Sequence, residues 1–93
     1  MDTLKIVIKS EWFDLIGANE KPIEYRDVTP FWTSRLFDKE GKRRKYDRIE
    51  FINGYNKDAR RMITGFDGFI IRGKTYNIKI GKIYKKPFVH SGI

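Results

Sequence analysis

The sequence predicts a small α+β domain: a mixed, partly closed β-barrel of about five or six strands flanked by two short helices. Three observations lead there. Apolar and polar residues alternate along several short runs, the pattern of half-buried strands. The two segments with helical spacing and good start signals both fall in the first forty residues. The remainder is strand after strand, divided by glycine-containing turns.

Taken in order, Leu4–Lys9 reads as the first strand, with Leu4, Ile6 and Ile8 on one face. Ser10 is the expected N-cap of a helix in which Trp12, Leu15 and Ile16 form one apolar stripe, and Gly17 the expected stop. Pro22–Val28 reads as a strand, with Ile23 and Tyr25 on one face and Glu24 and Arg26 on the other. Thr29-Pro30 starts a second helix over Phe31–Phe37, whose aromatics are expected in the core. Asp38–Gly41 is a turn and Tyr46–Ile52 a strand. Asn53-Gly54 opens a polar loop to Ala59. Arg61–Phe66 and Gly68–Arg72 are strands joined through a bend or bulge near Gly65 and Gly68. Gly73-Lys74 turns the chain into a last strand from Tyr76 past Gly81 to Tyr84, and a flexible tail is expected from about residue 87. Closure of the barrel would relieve so many short strands of exposed edges.

The 93 residues suit one domain, 1–93. So small a chain needs large side chains in its core, and seven Phe, five Tyr and two Trp supply them. The chain has no cysteine and one histidine, His90, so no disulfide framework, no thiolate site and no metal site are expected, and no cofactor is implied. No apolar run reaches the roughly 18–20 residues that cross a bilayer, and Met1-Asp2-Thr3 does not begin a secretory signal. A cytoplasmic protein with no membrane partner is the expectation.

The net charge is +8. That points to a polyanionic partner, nucleic acid first, though charge alone also serves solubility. Its distribution is more informative. Lys42, Arg43, Arg44, Lys45, Arg48, Lys57, Arg60 and Arg61 crowd one stretch against only Asp47, Glu50 and Asp58, and no acid follows Gly68. One basic face is expected, holding phosphates with a steep salt dependence. Lys42–Lys45 also fits a solvated loop. Tyr46, Tyr55, Tyr76 and Tyr84 are interleaved with the cations, as suits either stacking on single-stranded bases or lining the core rim.

The densest polar cluster runs from Gly17 to Arg26. A helix ends, the chain turns at Lys21, and Glu24 and Arg26 share one face of the next strand. A carboxylate flanked by two cations is either a structural ion pair or a site that recognises a polar edge.

Strand, short helix and then Gly17-x-x-x-Lys21-x-x-Glu24-x-Arg26 resembles the ASCH domain (activating-signal-cointegrator homology), a PUA-like β-barrel. Leu4–Lys9 is similar to its opening strand, Trp12–Ile16 to its first helix and Tyr46–Phe51 to the strand after its variable insert. The resemblance implies RNA binding in a cleft beside the motif. It also implies possible chemistry, because some relatives are acetylcytidine amidohydrolases and one is a reported ribonuclease. Lys21 matches the amidohydrolase nucleophile and Arg26 an arginine of the same motif. Glu24 stands where those enzymes have a catalytic threonine, and residues 65–74 lack the glutamate of their insert. A nucleophilic lysine must lose its proton, which Glu24 would oppose.

The leading expectation is therefore a module binding RNA or single-stranded nucleic acid, with Lys21, Glu24 and Arg26 lining a cleft, Tyr25 and Trp32 as candidate walls, and Lys42, Arg43, Arg44, Lys45, Arg48, Arg60 and Arg61 on the basic face. The alternative is a hydrolase acting on a modified nucleoside or RNA, with Lys21 as nucleophile or charge stabiliser, Glu24 as acid–base and Arg26 as anchor. The third is a protein-interaction domain using Trp12, Phe13, Phe31 and Trp32, for which core packing is the simpler fate.

Overall fold

A computed structural model describes residues 2–89. Strand β1 (Thr3–Ile8) buries Leu4, Ile6 and Ile8, as the alternation requires. Helix α1 (Ser10–Gly17) follows at once. Its N-cap is Lys9 rather than the expected Ser10, and no side chain caps it. Ser10 instead starts the helix, and its hydroxyl donates to Asn53 Oδ1 at 3.2 Å. The helix stops at Gly17, but the left-handed residue after it is Asn19 (φ 59°), whose short polar side chain tolerates that conformation. The buried positions of α1 are Phe13 and Ile16. Trp12, expected in that stripe, is 42% exposed because it lies about 100° around the helix from Phe13.

Strand β2 (Ile23–Asp27) leads to helix α2 (Pro30–Leu36). As expected, Thr29 caps α2, its Oγ1 accepting from the Trp32 amide at 3.2 Å, with Pro30 first in the helix. The helix ends one residue before the expected Phe37. Of its aromatics, Trp32 packs against the core while Phe31 is exposed.

Strand β3 (Arg48–Asn53) begins two residues later than expected, because its parallel partner β1 starts at Thr3 opposite Arg48. Tyr46, expected in that strand, packs edge-on against Phe66 instead, and its hydroxyl donates to the Arg35 carbonyl. Arg61–Phe66 and Gly68–Arg72 are joined as expected into one strand, β4 (Arg60–Arg72), with register shifts in the region of Gly65 and Gly68. Strand β5 (Thr75–Val89) pairs with β4 through Val89, beyond residue 87 where a loose tail was expected. The pairing of Phe88 with Arg61 and of Val89 with Arg60 carries the extension, and Pro87 Cγ lies 3.6 Å from where a Cβ on Gly17 would sit, at the end of α1. The rest of that tail, residues 90–93, lies outside the described residues.

The five-stranded sheet has the order β1-β3-β4-β5-β2, parallel at β1–β3 and antiparallel elsewhere. Strands β1 and β2, neighbours in sequence, are thus the two edges. The sheet curls into a half-barrel that brings them together, and the irregular β4–β5 register supplies part of the bend. At that bend Gly65 and Gly81 approach so closely that a Cβ on Gly81 would lie 3.1 Å from the Gly65 backbone. The core fills the concave side around Phe13, Leu36, Phe51, Met62 and Tyr76, all nearly inaccessible. No helix among the described residues is long and apolar enough to cross a membrane.

Candidate functional site

The gap between the two edge strands is a cleft of about 1210 Å³. One wall is the end of β1 and the start of α1, from Val7 to Trp12. The other is β2 with the first turn of α2, and Asn53, Gly54 and Tyr55 close one end.

Lys21, Glu24 and Arg26 converge there. Alternation along β2 turns Glu24 and Arg26 to the same side, opposite Tyr25. Glu24 is 5% exposed, a burial that a carboxylate tolerates only when paired. Its Oε2 accepts from Arg26 Nε at 2.9 Å and from Nη2 at 2.6 Å, two charge-assisted bonds to one oxygen. Its Oε1 faces Lys21 Nζ at 3.4 Å. Arg26 Nη2 also donates to the Val7 carbonyl across the seam at 3.0 Å, and Lys21 Nζ to the Ile23 carbonyl at 2.7 Å.

Aromatic rings surround this cluster. Lys21 Nζ lies 5.3 Å from the Trp12 ring centre and 5.1 Å from that of Tyr25. The Arg26 guanidinium lies 5.0 Å from Trp32. Such contacts hold a cation over a ring face. Tyr25 and Trp32, the walls named from sequence, both line the cleft. Phe31 and Tyr55, exposed by 56% and 93%, line it too, as does Trp12. From sequence, Trp12 and Phe31 are candidates only for a protein-interaction patch and not for this cleft, because their helical spacing reads equally well as core. Tyr55 was visible as an aromatic beside a turn, without a sign that the turn borders the cleft.

The basic residues divide differently from their order in sequence. Arg43 donates to the Phe69 carbonyl on β4 and sits 4.3 Å from the Phe69 ring, so it fastens the 37–47 loop to the sheet. Arg44 Nε donates to the carbonyls of Ser34 and Phe37, closing the C-terminal end of α2. Arg60 pairs with Asp14 at 3.0 Å and Arg61 with Glu50 at 3.1 Å. Lys42 reaches Glu40 at 4.0 Å, both side chains exposed, and Lys45 has no ion pair among the described residues. Arg48 and Lys82 both lie over the exposed ring of Tyr84, at 4.7 and 5.2 Å, and form a cationic group on the convex side of the sheet.

Burial raises the Tyr46 phenol above its ordinary value of 10.0, against the lowering pull of Arg44 and Arg35. No cluster of three or more metal-ligating side chains occurs among the described residues. The chain matches no family model, no curated protein and no solved structure.

Proposed function

We propose that this domain binds RNA or single-stranded nucleic acid, taking an unstacked base or nucleotide into the cleft at the barrel seam. The observation that carries the reading is the convergence of Lys21, Glu24 and Arg26 in an open hollow walled by Trp12, Tyr25, Phe31, Trp32 and Tyr55. Exposed aromatic faces beside cations are what sequence-tolerant base stacking uses, at about 1–3 kcal/mol per base. The net charge of +8 supports a polyanionic guest, and the Arg48–Tyr84–Lys82 group supports contacts to its phosphates. The resemblance to the ASCH family and its PUA-like barrel belongs to this reading, because the family's motif falls on the residues that meet in the cleft. Binding is favoured over catalysis by the engagement of Lys21 Nζ with two acceptors, Ile23 O and Glu24 Oε1. A cytoplasmic protein meets such ligands.

Fluorescence anisotropy with a labelled single-stranded RNA of about a dozen nucleotides tests the reading. Micromolar or tighter binding at about 50 mM salt is expected, weakening steeply by about 200 mM. No binding at the lower salt, or binding indifferent to salt, overturns it.

A further inference from the structure

In the Lys21–Glu24–Arg26 cluster of the cleft the acceptors are engaged and donors are left over. Both oxygens of Glu24 face cations, and its side chain is 7% exposed. The carbonyls of Val7 and Ile23 accept from Arg26 and Lys21. What remains is Arg26 Nη1, which has no partner among the described residues and is not among their buried unpaired atoms. Arg26 lines the hollow, and both hydrogens of Nη1 are uncommitted among the described residues. A third hydrogen of Lys21 Nζ, beyond the two directed at Ile23 O and Glu24 Oε1, joins them. Trp32 backs the guanidinium, and Trp12 and Tyr25 flank the ammonium, so these donors are held in position.

From this we infer that the cleft prefers purine bases with a keto edge, hypoxanthine or guanine, to adenine. The inference rests on the nucleic-acid reading above and narrows it. The adjacent O6 and N7 of guanine and hypoxanthine are both acceptors and can meet Arg26 Nη1 and Lys21 Nζ together. In adenine the N6 amino group beside N7 is a donor, and there it would leave a donor facing a donor. A phosphate oxygen has the same acceptor chemistry as a keto group and is the competing occupant. Asp27, at the end of β2 and on the Tyr25 side of the strand, is the other carboxylate lining the cleft and the group that would favour an amino base.

Two single-stranded oligonucleotides of equal length and identical backbone separate these occupants: oligo-I and oligo-A. Titration of the unmodified protein is expected to give I tighter than A by about tenfold. Equal affinity puts a phosphate at the floor and overturns the inference while leaving nucleic-acid binding intact. Preference for A assigns the reading to Asp27 and overturns it too. No binding of either defeats the nucleic-acid reading and this one with it. In Arg26→Lys, which keeps a cation but removes Nη1, the I-to-A ratio is expected to fall towards one, and an undiminished ratio in a folded variant overturns the role of Nη1. Should that variant not fold, the comparison on the unmodified protein decides alone.

Discussion

Arg26 Nη2 donates to the main-chain carbonyl oxygen of Val7 at 3.0 Å, and in doing so joins the two edge strands of the sheet. Strands β1 and β2 do not pair as a ladder, so this side chain spans the seam where the half-barrel stays open. The same guanidinium grips Glu24. One residue therefore shapes the cleft and forms part of its floor.

Arg26→Ala is expected to be expensive. It leaves the Glu24 carboxylate buried with only Lys21 at 3.4 Å and removes the link to Val7. A loss of about 2–4 kcal/mol is expected in urea unfolding. Glu24→Gln, which keeps the shape and one acceptor oxygen, is expected to cost less. A loss below about 0.5 kcal/mol for Arg26→Ala would mean that the cluster is solvated rather than structural.

Tyr55 separates binding from stability. At 93% exposure its ring packs on little. Tyr55→Ala is expected to leave the unfolding midpoint within about 0.5 kcal/mol of the parent and to weaken RNA binding by about fivefold or more. Anisotropy titration and thermal melts on the same preparations check both halves.

The cations are expected to fall into two groups. Arg43 and Arg44 hold the 37–47 loop, so replacing either by Ala should lower stability by about 1 kcal/mol. Arg48 and Lys82 group around Tyr84 on the convex face. Lys82→Gln should leave stability unchanged and reduce the log–log salt slope of RNA binding by about one phosphate contact. An unchanged slope would remove that face from the interface.

Two glycines make a matched pair. A Cβ on Gly81 would meet Asp67 Oδ1 at 2.9 Å and the Gly65 backbone at 3.1 Å, so Gly81→Ala must push β4 and β5 apart at the bend. A loss of about 1–3 kcal/mol is expected. At Gly17 the nearest atoms are Pro87 Cγ at 3.6 Å and Met62 Sδ at 3.8 Å, ordinary contacts at the end of a helix. Gly17→Ala is expected to be neutral or to stabilise by up to about 1 kcal/mol. Chemical denaturation of the two variants side by side reads the difference.

Tyr46 gives a pH dependence with a definite sign. Its phenol is raised in the folded state, so the unfolded chain loses that proton first as pH rises. Its contribution is constant below about pH 10 and is lost as pH climbs through the folded value. Tyr46→Phe should therefore show a shallower alkaline loss of stability than the parent, with the two curves parallel below about pH 9. Identical alkaline slopes would mean that the phenol is as solvated folded as unfolded.

Much of the local structure is set by neighbours in sequence. Alternation put Leu4, Ile6 and Ile8 inward, Thr29-Pro30 started α2, and the turn at Gly73 joined two long strands. The Lys21–Glu24–Arg26 cluster was legible for the same reason: two of its members are one strand period apart, and the third sits in the adjoining turn. These are short-range effects of backbone geometry and capping.

Long-range partners decided the rest. Whether Trp12 and Phe31 face core or cleft, and whether Arg43 serves a ligand or the Phe69 carbonyl, depends on which surfaces the curled sheet brings opposite them. So does the length of β5, which continues because Arg60 and Arg61 on β4 offer Val89 and Phe88 a ladder. The cleft itself exists because the first and second strands in sequence end up as opposite edges of one sheet. Sequence alone settled which segments form strands and helices, and where the polar trio would lie along the chain. Only the tertiary structure could turn that trio towards a hollow, because the hollow is a gap between strands whose separation is set by the three others between them.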